Sequence, residues 1–266
     1  MAIIRNEPIE TYHASENISK SKLMTYAKHG PAHYHRQYIK RDLPQPDKAA
    51  FAIGRAFDDL MCEGKPTWAT KPDGFDGRTK EGKEWMANNS HRDVLSAADD
   101  AMIYEMREAM NANLHAMQLW HGTESQVTLR KDLPSLGVTA QARPDGIHWD
   151  HKAIVDIKTT RDLNGFHRDA INFGYHLQLS LGQWLAAQDG HQLDAFLIVV
   201  EAKCAPRCRV IRIPEIALAA GWNRCKDLMT QISAHYKSGD WSDHQQEIEE
   251  LRLESWQERK LEGEAA

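Results

Sequence analysis

The sequence predicts an α/β fold in which a mixed central sheet is flanked by helices and preceded by a helical N-terminal part. Three observations carry this. Up to Trp120 apolar residues recur mainly at helical spacing. From Gln126 to Lys158 the pattern switches to short runs rich in β-branched residues. Beyond Tyr175 helical and strand-like segments alternate.

In chain order, Ser19-Lys-Ser21 precedes a short amphipathic helix, Lys22 to Lys28, which Gly30-Pro31 should stop. A second helix is expected from Ala49 to Cys62. Lys65 to Gly82 holds Pro66, Pro72 and three glycines and reads as a long loop. Ser96 is placed to cap a long helix running to about Trp120, with Met102, Ile103, Met106, Met110, Leu114 and Met117 as its apolar stripe. Strands are expected at Gln126–Leu129, Gly137–Arg143 and Ala153–Lys158. A helix from Tyr175 to Asp189 ends at Gly190, and strands follow at Ala195–Val200 and Cys208–Ile213. A last long helix spans Pro214 to Lys237. Residues 1–242 are expected to form one domain, with 243–266 a charged, helical tail.

Composition narrows the function classes. The 266 residues are 41% hydrophobic and 27% charged, ordinary for a chain with a real core. No apolar run approaches the roughly 20 residues that span a bilayer, and Met1-Ala-Ile-Ile-Arg lacks the h-region of a secretory signal. The expectation is a cytoplasmic protein with no membrane partner, whose four cysteines are reduced thiols. A net charge of −5 does not announce a nucleic-acid binder. Basic residues would have to be gathered locally, and two stretches do this: Arg36 with Lys40 and Arg41, and Arg78 with Lys80 and Lys83.

The chemistry concentrates in one hairpin. In Asp156-Ile-Lys158, inside an apolar strand, side chains alternate, so Asp156 and Lys158 share a face and Ile157 points away. A carboxylate and an amine on an apolar strand are costly to bury unless they serve each other or a ligand. The expected turn, Trp149-Asp-His-Lys152, is centred between residues 150 and 151. Reflecting Asp145 about that centre reaches Asp156. Two opposed aspartates destabilise a hairpin, and a divalent cation between them reverses the sign. Mg²⁺, or Mn²⁺ in its place, takes oxygen ligands and can activate water beside a phosphate. Asp145, Asp156 and the Ile157 carbonyl are therefore candidate ligands, with Lys158 placed to orient or deprotonate that water. Glu124 is the candidate upstream acid, with Gln126 competing for the position. Tyr175 and Gln178 share a helix face and are candidates to contact phosphate or water.

Arg143-Pro-Asp145, Val155-Asp-Ile-Lys-Thr-Thr160 and Tyr175-His-Leu-Gln178 together resemble the RecE-type exonuclease domain, that of exodeoxyribonuclease VIII and its phage relatives. Ile18 to Leu23, Gly30 to Tyr34, Arg78 to Lys83 and Val199 to Lys203 resemble the same family. The resemblance implies a PD-(D/E)XK, restriction-endonuclease-like core, Mg²⁺ dependence and 5′-to-3′ digestion of linear double-stranded DNA. It also implies a ring-like homo-oligomer, in whose channel the two basic stretches would lie, and a single-strand annealing recombinase as partner. Where that family has a histidine in Gly-x-Ala-x-His, this chain has Gly54-Arg-Ala-Phe-Asp58. Aspartate still suits a hard cation, so Asp58 joins the candidate ligands. Two alternatives remain at this point: an endonuclease of the same fold, and a catalytically inactive DNA-binding or assembly protein. Cys62 with Cys204, Cys208 and Cys225 has the one-plus-three distribution of iron–sulfur nucleases, but not their spacing.

Overall fold

The computed structural model describes residues 2–43, 51–242 and 250–264. Its elements are, in order, β1 (Ala2–Ile4), α1 (Ile9–Ala14), α2 (Lys20–Tyr34), a π-helical continuation over His35–Lys40, α3 (Ala52–Glu63), β2 (Ala69–Thr70), α4 (Lys80–Asn88) and β3 (Val94–Leu95). Then come α5 (Ala97–Asn111), α6 (Leu114–Trp120), β4 (Glu124–Ser125), β5 (Thr128–Leu133), β6 (Val138–Ala142), β7 (Gly146–His148) and β8 (Ala153–Thr160). They are followed by α7 (Phe166–Asn172), α8 (Tyr175–Ala187), β9 (Asp194–Glu201), β10 (Cys208–Arg212), α9 (Glu215–Ser238) and α10 (Ser255–Glu264).

The central sheet has five strands in the order β10-β9-β8-β7-β4. Only β8 and β9 run parallel; the other pairs are antiparallel, so the sheet is mixed. Strand β8 lies in the middle because its two faces are both apolar. Val155 and Ile157 pack with Phe57, Ile103, Met106 and Met110 from α3 and α5. Ile154 points the other way, into a core with Leu177, Leu181 and Leu185 of α8 and Leu228 and Ile232 of α9. Each such buried aliphatic side chain contributes about 1.5–3 kcal/mol. A second sheet, β1-β5-β6, stands beside the first. It pins the start of α2: Ile18 N–H donates to the Thr139 carbonyl at 2.7 Å, and Gln141 N–H donates to the Ile18 carbonyl at 2.9 Å.

Several boundaries differ from the sequence pattern, each for a local reason. Gly30 is non-helical (φ 79°, ψ 176°), yet Pro31 restarts the helix at once, so the expected stop is a kink. The long helix expected from Ser96 to Trp120 is two helices. Asn113 breaks it and caps α6, accepting from Ala116 N–H at 3.0 Å, and this leaves Leu114 of the expected apolar stripe 83% exposed. The strand expected at Gln126 begins at Thr128 instead, because Gln126 turns the chain with a positive φ of 53°. The expected loop to Gly82 ends earlier, where Thr79 caps α4 by accepting from Gly82 N–H at 3.0 Å. The first residues of the helix expected from Ala49 lie outside the described residues, as does 243–249 of the expected tail. Helix α10, in that tail, buries no side chain.

Candidate active site

Strand β7 pairs with β8 in the register Gly146↔Val155, Ile147↔Ile154, His148↔Ala153. The next rung puts Asp145 opposite Asp156. Pro144 has no N–H to extend the ladder. Asp145 uses its side chain there, and Oδ2 accepts the Ile157 N–H at 2.7 Å. Asp156 is fully buried. Its Oδ1 accepts from Gln178 Nε2 at 2.8 Å, and its Oδ2 is ion-paired with Lys158 Nζ. Lys158 Nζ also donates to the Ile157 carbonyl at 3.0 Å and lies 5.2 Å from the centre of the Tyr175 ring. Tyr175 and Gln178 reach the site together from the first turn of α8, which Gly174 opens in the left-handed conformation. Asp58 comes from α3. A Cβ at Gly54, one turn earlier, would meet Thr159 Oγ1 at 3.2 Å, so glycine permits the close approach of α3 to the end of β8.

The electrostatics are those of crowded acids. Burial raises the Asp58 pKa, the Lys158 ammonium partly offsets this, and the Asp156 and Asp59 carboxylates add to it, leaving Asp58 at about 7. Burial and then the Asp156 charge hold the Asp145 carboxyl well above the usual carboxylate range. Burial disfavours the Lys158 ammonium, but Asp156, Asp145 and Asp58 outweigh it and keep the amine protonated. One oxygen of Asp58, Oδ1, is buried without a hydrogen-bond partner. A hard cation would satisfy that orphaned oxygen and relieve the repulsion among the acids. No ready-made cage of three or more His, Cys, Asp or Glu side chains exists among the described residues. The donor set fits Mg²⁺ or Mn²⁺ held by one or two carboxylates, with water and phosphate completing the shell.

Other candidates are elsewhere. Glu124 is not brought to the aspartates: Arg5 and Trp149 hold it, the latter donating from Nε1 to Oε2 at 2.8 Å. Burial raises its pKa, and those hydrogen bonds outweigh the effect and lower it. Its competitor Gln126 borders the cavity that contains Asp145 and Asp156, where its Oε1 accepts from Arg143 Nη2 at 2.7 Å. Arg78 pairs with Asp76, Lys80 with Glu84 and Arg36 with Asp42, all at the surface. Arg41 donates to the Ala14 carbonyl. None of these, nor Lys40 or Lys83, borders either cavity that meets the aspartates. The residue that pattern reading passed over is Lys20, which lines the first of those cavities. Its signal was its place in Ser19-Lys-Ser21, between a buried strand-like residue and a helix. The cysteines form no cluster: Cys225 is buried in α9, Cys204 is exposed, and Cys62 points at the Asp145 carbonyl, 3.9 Å away. No helix among the described residues is long and apolar enough to cross a membrane.

The same architecture occurs in a protein of known structure. A protein from Eubacterium rectale assigned as an exonuclease superposes with a TM-score of 0.67 at 16% identity, over 96% of this chain and 97% of that one. A phage-related exonuclease from Haemophilus somnus 129PT is similar at 12% identity over 84% of this chain and 96% of its own, with a TM-score of 0.37. No curated protein matches in sequence. The model of the PDDEXK-like domain of unknown function (DUF3799) matches residues 19–254. With nearly the whole described fold inside that match, the chain belongs to the PDDEXK-like DUF3799 family.

Proposed function

We propose that this chain is a divalent-metal-dependent deoxyribonuclease that degrades linear double-stranded DNA from its ends. The observation that carries the reading is geometric: Asp145 and Asp156 oppose each other across the β7–β8 hairpin, Asp156 is paired with Lys158, and Asp58 brings a buried oxygen without a hydrogen-bond partner. A structural ion-pair network would match acids to cations; here Asp58 and Asp145 make no ion pair with a described residue.

The reaction is hydrolysis. A water oxygen bonds to phosphorus, one phosphorus–oxygen ester bond breaks, and the leaving sugar oxygen ends with a proton while the water gives one up. A divalent cation, when bound by the aspartates, would supply charge to polarise the phosphate and lower the pKa of water. Asp145 and Asp156, opposed across the hairpin, would hold the cation, with the unpartnered oxygen of Asp58 a further candidate ligand. Lys158, beside Asp156 and the Ile157 carbonyl, is placed to orient or deprotonate that water and to offset phosphate charge. Gln178 fixes the Asp156 carboxylate, and Tyr175 braces the Lys158 amine. The resemblance to RecE-type domains supports the finer reading: 5′-to-3′ polarity, a ring that keeps the enzyme on its strand, a single-strand annealing partner and a role in phage-type recombination in the cytoplasm.

Incubation with linear and closed-circular duplexes, in Mg²⁺, Mn²⁺ or EDTA, tests this. Loss of linear DNA alone, from 5′-labelled ends first, is expected. Nicking of circles would make the chain an endonuclease, and no product in either metal would overturn the enzyme reading.

A further inference from the structure

Two ammonium groups share one aromatic ring. Lys158 Nζ and Lys20 Nζ lie 5.2 Å and 5.4 Å from the centre of Tyr175. Lys158 is occupied by Asp156 and the Ile157 carbonyl. Lys20 makes neither a hydrogen bond nor an ion pair with any described residue; its partner is the ring. The contrast with Lys22, two residues on, is direct: that amine donates to the Ser15 carbonyl.

Lys20 is not a loose surface side chain. Its backbone follows Ile18, which is buried and clamped to β6 by the two hydrogen bonds given above. It borders a cavity of about 230 Å³ whose wall includes Asp145, Asp156 and Gln178. Burial and then the Lys158 charge lower its pKa, the Asp156 charge offsets them only in part, and the amine is left at about 8. A half-buried ammonium beside another cation, without a hydrogen-bond acceptor, costs free energy unless an anion completes the site. The anion must also fit beside carboxylates that hold a cation, which is the place of a phosphate in a hydrolase.

We propose that Lys20 is a catalytic residue, binding a non-bridging oxygen of the scissile phosphate and offsetting the charge that gathers there as water adds to phosphorus. The inference rests on the nuclease reading above. Lys20 keeps its proton throughout: the new bond is from water oxygen to phosphorus, the broken one from phosphorus to the leaving sugar oxygen, and the proton on that oxygen comes from solvent.

The test uses the full chain as wild type, Lys20→Met and Lys20→Arg, on duplexes ending in 5′-phosphate or 5′-hydroxyl. Turnover in Mg²⁺, DNA affinity in EDTA, Mn²⁺ affinity by calorimetry and thermal melting are read in parallel. Lys20→Met should lower kcat about 100-fold on both ends and weaken DNA binding in EDTA. Mn²⁺ affinity and melting should stay near wild type, and Lys20→Arg should keep at least about a tenth of the turnover, since the charge remains. Wild-type turnover in Lys20→Met overturns the proposal. So does a loss confined to 5′-phosphorylated ends, which would place Lys20 on the terminal phosphate, or a loss that tracks Mn²⁺ binding or melting. If the wild type cleaves nothing, the nuclease reading fails, and the EDTA binding comparison still decides whether Lys20 takes a phosphate.

Discussion

Strands β8 and β9 run side by side, and each carries an acid followed by one spacer and a lysine: Asp156-Ile-Lys158 within β8, and Glu201-Ala-Lys203 starting at the last residue of β9. Both carboxylates are fully buried. Their surroundings are opposite. Glu201 accepts from Arg207 Nε at 2.7 Å and Nη2 at 2.8 Å, from Lys203 Nζ at 2.7 Å and from the Leu163 N–H at 3.4 Å. The Arg207 hydrogen bonds outweigh burial, and with Lys203 they hold Glu201 down at about 2. Asp156 has one cation, and two further acids compete for it. A buried acid matched by its own cations closes a loop, here tying the chain after β8 to the end of β9. A buried acid crowded by other acids is completed only from outside.

The comparison breaks most sharply at catalysis. Asp156→Ala, Asp145→Ala or Lys158→Ala should lower degradation of linear duplex by at least about 10²–10³-fold, whereas Lys203→Ala should leave it within about two-fold. Lys158→Ala should keep its affinity for Mn²⁺ in calorimetry, since it removes a cation and no ligand. Collapse of that affinity would make Lys158 structural.

Metal should stabilise one region and not the other. With a folded pKa of about 7 against an ordinary 3.8, Asp58 contributes stability that is full below about pH 4 and lost as pH rises through 7. Asp145 acts in the same direction. A divalent ion replaces the proton, so saturating Mn²⁺ should raise Tm by about 5 °C or more at pH 8 and by little at pH 5. An equal rise at both pH values would detach the cation from these acids.

Neutralising the two kinds of acid should move stability in opposite directions. Asp58→Asn should raise the metal-free Tm at pH 8 by a few degrees, about 2–4 °C per kcal/mol of relieved repulsion. Glu201→Gln should lower it by about 5 °C. The Glu201 contribution, with a depressed folded pKa, is present above about pH 4.5 and fades as pH falls toward 2. Equal signs in the two variants would remove the distinction between them.

The smallest effect belongs to the surface cations. Arg78→Glu with Lys80→Glu should leave chemistry on short oligonucleotides unchanged and flatten the salt dependence of binding to long duplexes by about 1 per lost phosphate contact. Arg78 and Lys80 are exposed and already paired with Asp76 and Glu84, so a wild-type salt slope would leave them as solvated surface.

The sequence by itself determined the mixed α/β architecture, the strands β6, β8, β9 and β10, and the hairpin register that sets Asp145 against Asp156. These depend on local period and turn position, which a linear pattern carries. That Gly146–His148 is a strand of its own, in a different sheet from β6, the sequence did not show. Strand periodicity also put Asp156 with Lys158 on one face and helix periodicity put Tyr175 with Gln178 on another; that the two faces meet was decided by the packing of α8 against β8. Only the tertiary structure decided the rest. Asn113 broke one long helix because a cap competes with continuation, and the pattern of methionines is blind to that. Glu124 and Gln126, two residues apart, went to different sites because a positive φ at Gln126 turned the chain between them. Lys20 and Lys22, on different sides of the first turn of α2, also parted, one to an open cavity and one to a carbonyl. Asp156-x-Lys158 and Glu201-x-Lys203 are alike as text and differ only in what packs beside them: α3 brings Asp58 to the first, and the turn into β10 brings Arg207 to the second. Whether a buried charge is satisfied depends on neighbours distant in the chain, and those are known only once the elements have packed.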